Sequence, residues 1–151
     1  MNLTSLYTDL VFDHDRHPRH AGLREPFDAE VHHVNPTCGD EVTLRVRLTG
    51  EGPDVVVEDV SYEAAGCAMS RASASIMAEL LHGRPEAEAQ AVWDHFDHVM
   101  HQRGKEAGDE ELIGDGVALV GAAKFPGRVK CVLLPWKAWQ AAFAQARAAR
   151  R

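Results

Sequence analysis

The sequence predicts an α+β fold: a small antiparallel three-stranded sheet packed against several helices. Two observations carry this expectation. Residues 41–48 alternate, with Val42, Leu44, Val46 and Leu48 on one face and Thr43, Arg45 and Arg47 on the other, the period-two pattern of a strand with one wet face. Three strand-like runs follow one another through short links, with helical stripes before and after them, which favours a sequential meander covered by helices.

The elements follow in order. Leu3, Leu6, Tyr7, Leu10 and Val11 form a helical stripe that ends near Asp15. The next stretch, His14-Asp15-Arg16-His17-Pro18-Arg19-His20, spaces three histidines by three. A metal site there would need one continuous helix, which Pro18 opposes, so a surface turn is expected. Strands are expected at 29–34, 41–48 and 55–62, with Gly50-Glu51-Gly52-Pro53-Asp54 turning the chain between the last two. A helix rich in small residues should run from Met69 to Leu81 and stop at Gly83. Another should start at Pro85 and run to about Gln102. His95, His98 and His101 lie near one side of it, a pattern that a polar face explains without a metal. A loop (104–111) leads to a mixed stretch, Leu112 to Ala123. Phe125-Pro126-Gly127 is expected to turn the chain, and a final helix should begin at Pro135.

At 151 residues the chain is expected to be one domain, 1–151, large enough to bury a core without staples. Sixteen basic and 23 acidic residues give a net charge of −7, which argues against a nucleic-acid partner. The basic C-terminal end, Arg147-Ala148-Ala149-Arg150-Arg151, reads as a solvated helix terminus. No segment approaches about 20 apolar residues, so no membrane span is expected. Three cysteines cannot form a complete set of disulfides, and no apolar run of signal length precedes them; reduced thiols in the cytoplasm are expected.

Those cysteines stand far apart. Cys38 lies in Asn35-Pro36-Thr37-Cys38-Gly39-Asp40, in the loop joining the first two strands together with Asp40. Cys67 follows Gly66 at a helix start. Cys131 lies just before the expected final helix, near Arg128 and Lys130. A lone cysteine is most often a small buried hydrophobe, yet none of the three falls in the middle of an apolar run. Gly39 lets the Cys38 loop turn tightly, and a helix start stabilises a thiolate at Cys67. The intervals match no zinc-finger rule. Three thiolates and a carboxylate nevertheless suit zinc or an iron–sulfur cluster. Four negative donors exceed the charge of a zinc ion, so a nearby cation such as Arg128 would help.

With these residues in place, the chain resembles the IscU-like iron–sulfur scaffold family, in the branch called SufU. The resemblance rests on the Asn35–Asp40 motif, on Gly66-Cys67-Ala68 with Ser70 and Ala72-Ser73-Ala74-Ser75, on Cys131, and on Leu6-Tyr7 and His17-Pro18-Arg19-His20 near the start. Classical scaffolds carry a histidine just before the third cysteine, where this chain has Lys130, and a Leu-Pro-Pro-Val-Lys motif that is absent here. The wide separation of Cys67 and Cys131, and Arg128, fit the SufU branch. The resemblance implies an IscU/SufU-like fold in which Cys38, Asp40, Cys67 and Cys131 bind zinc, with Arg128 in support. It implies a zinc-dependent sulfurtransferase that accepts persulfide sulfur from a SufS-type cysteine desulfurase for cluster assembly. A partner histidine would displace a thiolate from zinc, Cys38 would take the sulfur, and downstream SUF assembly proteins would receive it. The same ligands would serve a scaffold that builds an iron–sulfur cluster, or a non-catalytic zinc-stabilised binding module.

Overall fold

The structure, a computed structural model, describes residues 3–149, with side chains from residue 7 onward. Arg150 and Arg151 of the basic terminal cluster, and the side chains of Leu3 and Leu6, lie outside the described residues. Helix α1 (Leu3–Arg16) precedes strands β1 (Ala29–Asn35), β2 (Asp40–Thr49) and β3 (Val56–Ala65). Helices α2 (Ala68–Leu81), α3 (Glu86–Met100), the single turn α4 (Glu110–Ile113) and the long α5 (Pro126–Ala149) follow, with a 3-10 segment at Gly114–Lys124 between the last two. The sheet is an antiparallel meander in the order β1-β2-β3. The α+β architecture is the one the alternation predicts.

The alternating face of β2 is the centre of the core. Val42, Leu44, Val46 and Leu48 are all buried, on the strand that packs against α5, while Arg45 and Arg47 reach out to ion-pair with Glu30 and Glu58 on the flanking strands. Pairing of Asn35 with Asp40 closes the β1–β2 hairpin and leaves residues 36–39 as its turn. Asp40 is therefore the first residue of β2 rather than part of the loop.

Helix α2 comes close to its neighbours because its inward side chains are small. Ala72, Ser73, Ala74 and Ser75 are fully buried, and each serine is tied to another element. Ser73 Oγ donates to the Val132 carbonyl of α5 at 2.6 Å and accepts from Trp136 Nε1 at 3.1 Å. Ser75 Oγ accepts the Arg19 amide at 2.8 Å and meets His14 Nδ1 at 2.8 Å. His14 is thus not a surface residue: it is fully buried in α1, with Nε2 on Asp115 at 2.8 Å. Ser75 has no exposure, so this Ser–His–Asp triple is a strut between α1, α2 and the 3-10 segment, not a nucleophile.

The largest departure from the sequence expectation is α5, which starts nine residues earlier than Pro135, at Pro126. Pro135 lies inside the helix, where it has no N–H to give to the Cys131 carbonyl one turn back. Cys131 is accordingly not a residue before the helix but a buried residue within it. Leu112–Ala123 becomes α4 and the 3-10 run, with Asp109 capping α4 by accepting the Glu111 amide at 3.0 Å.

Ser73→Ala should leave the Trp136 indole N–H buried without a partner and lower stability by ~1–3 kcal/mol. Thermal unfolding of the purified variant checks this: a melting temperature several degrees lower is expected, and an unchanged one would show that the bridge contributes nothing.

Candidate metal and thiol centre

Three separate pieces of chain converge at the β1–β2 turn. The turn carries Cys38, exposed at its tip, with its amide and that of Gly39 bonded to the Asn35 carbonyl at 3.2 and 2.9 Å. Asp40 opens β2 and is only 1% exposed. The β3–α2 junction supplies Cys67 as the N-cap residue of α2. Helix α5 brings Cys131 in from the side.

The distances show how closely these groups meet. Cys131 Sγ and Cys38 Sγ are 3.1 Å apart. Ligand atoms of Cys38, Asp40 and Cys131 all lie within 4.8 Å of one another. Cys67 joins from the far side of the carboxylate: its amide donates to Asp40 Oδ1 at 2.8 Å, and its Sγ stands 3.8 Å from Asp40 Oδ2. The structure therefore gathers Cys38, Asp40 and Cys131 as one group and sets Cys67 against its edge. Arg128 does not join them. Its guanidinium lies over the Phe125 ring at 5.6 Å from the centroid, on an exposed turn of α5, and no hydrogen bond or ion pair from it to the four residues is formed among those described.

Burial pushes the Cys131 thiol well above the ordinary cysteine range, and the neighbouring Cys38 thiol and Asp40 carboxylate push it the same way. Without a positive charge this thiol keeps its proton. The donor set therefore has a definite electrostatic demand. A buried carboxylate is tolerated when paired or bound to a metal, and among the described residues no arginine, lysine or histidine ion-pairs with Asp40. A divalent cation answers both needs: it neutralises the carboxylate and draws the thiols into their thiolate forms. Thiolates with one carboxylate are donors that zinc accepts. The residues present fit such an ion.

Three further residues shape the centre, in roles that the sequence reading did not assign. The backbone of Gly66 lies against Asp40. A Cβ at Gly66, where φ is +127°, would come 2.1 Å from Asp40 Oδ1 and 2.8 Å from its Cα, so only glycine allows this close approach. Asn35, buried, turns Nδ2 towards Cys131 Sγ at 4.0 Å. Ser70 donates from Oγ to the Cys67 carbonyl at 3.1 Å and stands 3.8 Å from its Sγ. The glycine before Cys67 was the one signal in the sequence that could have pointed to such an approach.

The histidine series are not gathered here. His95 accepts the Asp109 amide, His98 meets Glu106 at 2.9 Å, and His101 bonds the Asp97 carbonyl at 2.7 Å. His20 stacks on His82 near Asp59. Burial, then the His82 ring, lowers the proton affinity of His20. Asp59 already binds Arg24 through both oxygens, at 2.7 and 2.9 Å. Burial works against the Asp59 charge, but Arg24 outweighs it and holds this carboxyl below its usual range. That carboxylate is paired with a cation, in contrast to Asp40.

The fold and this thiol–carboxylate cluster define a class. The model of the NifU-like N-terminal domain family matches residues 6–132, and the chain belongs to that family of SufU- and IscU-like proteins. Over 138 residues it is 39% identical to the zinc-dependent sulfurtransferase SufU of Bacillus subtilis (strain 168), covering 91% of this chain and 88% of that protein. It is 36% identical over 136 residues to the iron–sulfur cluster assembly scaffold protein IscU of Streptococcus pyogenes serotype M1, covering 90% and 81% respectively. Among solved structures, a candidate iron–sulfur cluster assembly scaffold for the SUF system from Fervidobacterium islandicum AW-1 superposes with a TM-score of 0.74 at 32% identity, covering 93% of this chain and 98% of that one. The cluster and this kinship are consistent with a site that handles metal or sulfur. No helix is long and apolar enough to cross a membrane among the described residues.

Gly66→Ala should displace Asp40 and open the centre, costing on the order of 2–4 kcal/mol and most of the bound metal. Metal stoichiometry and melting temperature of the purified variant test this; full metal content at unchanged stability would contradict it.

Proposed function

We propose that this protein is a zinc-dependent sulfurtransferase that accepts persulfide sulfur from a SufS-type cysteine desulfurase and relays it towards iron–sulfur cluster assembly. The observation that carries the reading is the pairing of an exposed thiol, Cys38, with a buried one, Cys131, 3.1 Å away beside the buried Asp40. The 39% identity to a zinc-dependent sulfurtransferase supports it.

Cys38, Asp40, Cys67 and Cys131 would hold the zinc, which when bound keeps the thiols ionised near neutral pH. The chain's own residues divide the remaining work. Cys38 sits on a four-residue turn whose tip faces solvent, with open space around the adjacent Gly39 at φ +72°; Cys67 is exposed too but held at a helix start, so Cys38 is the thiol free to move to a donor. Its thiolate attacks the outer sulfur of the donor's persulfide. A sulfur–sulfur bond forms at Cys38 as the one in the donor breaks, and the donor cysteine leaves as a thiolate, so no external oxidant or reductant is needed. Asn35 and Gly39 hold the turn, while Asp40, through the Cys67 amide, and Ser70, through the Cys67 carbonyl, fix Cys67. Cys131, enclosed by α5, remains as an anchor. Arg128, one helical turn before Cys131, would add positive charge at the rim when a partner's anionic thiolate approaches.

A second reading, a scaffold on which a cluster is assembled, is favoured by the 36% identity to a scaffold protein. Colour and composition of the purified protein separate the two: colourless with zinc for the relay, brown with iron and labile sulfide for the scaffold.

The deciding experiment mixes the protein with a cysteine desulfurase and cysteine, then maps added sulfur by mass spectrometry. Sulfur on Cys38 is expected. Cys38→Ala should abolish transfer in a protein that still folds, whereas Cys131→Ala should lose transfer, metal and thermal stability together. Undiminished transfer to Cys38→Ala would sink the relay. Unfolding as the sole effect of Cys38→Ala would favour a purely structural metal module.

A further inference from the structure

The cations of this chain are unevenly satisfied. Arg19, Arg24, Arg45, Arg47, Arg71, Arg84 and Arg147 each stand in an ion pair with a carboxylate. Among the described residues Arg16, Arg103, Lys105, Lys124, Arg128, Lys130 and Lys137 do not, and three of these seven, Arg103, Lys130 and Lys137, border one groove of about 680 Å³. His33 and His101 also border it, and no aspartate or glutamate does. On a chain of net charge −7 this is a local reversal of sign.

The same groove holds an unusual apolar surface. Phe12, Phe27 and Phe125 are exposed, but each lies beneath an arginine: Arg16, Arg45 and Arg128 respectively. Val34, 54% exposed on β1, lines the groove beside the half-buried Val129 of α5. The groove also runs up to the thiol centre. Asn35, one of its walls, faces Cys131, and Lys130 is the next residue to Cys131. A molecule seated there lies alongside the turn that carries Cys38.

We propose that this groove docks an acidic segment of the sulfur donor, with carboxylates meeting Arg103, Lys130 and Lys137 and an apolar side chain resting on Val34 and Val129. The inference rests on the sulfur-relay reading and names the surface by which the donor is aligned. Charge complementarity sets the partner's chemistry: unpaired cations at an otherwise acidic surface attract carboxylates and repel a basic segment. At physiological ionic strength the Debye length is about 8 Å, so the remote acidic surface of this chain is screened while the groove's own charges fix the register.

The test uses the full chain, its zinc-loaded form and a SufS-type cysteine desulfurase as the probe. Arg103→Glu combined with Lys137→Glu reverses the groove; Arg16→Glu combined with Arg47→Glu makes the same charge change elsewhere. Calorimetry gives affinity, and mass spectrometry gives sulfur on Cys38. The groove variant should bind at least about tenfold more weakly, need correspondingly more donor for half-maximal transfer, and keep its zinc and its transfer at saturating donor. The control pair should bind within about twofold of wild type, and added salt should weaken wild type more than the groove variant. Wild-type affinity in the groove variant, or equal weakening in both pairs, overturns the docking surface while leaving the relay intact. A wild-type chain that neither binds the desulfurase nor takes its sulfur overturns both.

Discussion

A carboxylate taken out of water must find a positive partner, and Asp40 is 1% exposed with none supplied by the described side chains. Much of the local architecture is arranged around that one group. Its pairing with Asn35 closes the β1–β2 hairpin, its Oδ1 receives the amide that starts α2, and Gly66 gives up a side chain so that β3 can turn against it. The thiols of Cys38 and Cys131 complete the enclosure. A cluster of this kind is a poor resting place for its own charges and a good one for a divalent cation, which reverses the penalty on the carboxylate and on the thiols at once.

The three cysteines are unequal because the elements that carry them differ in freedom. Cys38 rides a short turn at the surface. Cys67 is held by its backbone at a helix start, and Cys131 is walled in by α5 where burial favours its protonated form. Charge compensation does not come from Arg128, whose guanidinium packs over Phe125; within the described structure the demand of the four donors falls on whatever ion they hold. The buried serines of α2 serve the same end. By hydrogen-bonding both α1 and α5, they let a helix with small side chains fix two neighbours without bulky contacts, and so set the height at which Cys131 meets Cys38.

Most of the scaffold was legible in the sequence. Strand alternation in residues 41–48 identified the central strand and its buried face, and the glycine-bearing contexts of Cys38 and Cys67 pointed to a turn and a helix start, where the structure places them. Two things were hidden. Pro126 and Pro135 both satisfy the rule that proline suits the first turn of a helix, and the local pattern offers no way to choose; packing of Val132, Leu133 and Leu134 into the core extends the helix through Pro135 and carries Cys131 inside it. His14 read as part of a polar surface turn, because its partners Ser75 and Asp115 lie 61 and 101 residues away in sequence. Contacts at such separations leave no local signature.

The central claim is that the buried carboxylate and the gathered thiols hold one divalent ion. X-ray absorption spectroscopy of the protein purified with its metal, read for zinc coordination, tests it most directly. Zinc bound by three sulfurs and one light atom, with the light-atom shell lost or replaced in Asp40→Ala, is the predicted result. A protein that folds and carries no metal, or a zinc surrounded only by nitrogen and oxygen, would contradict it.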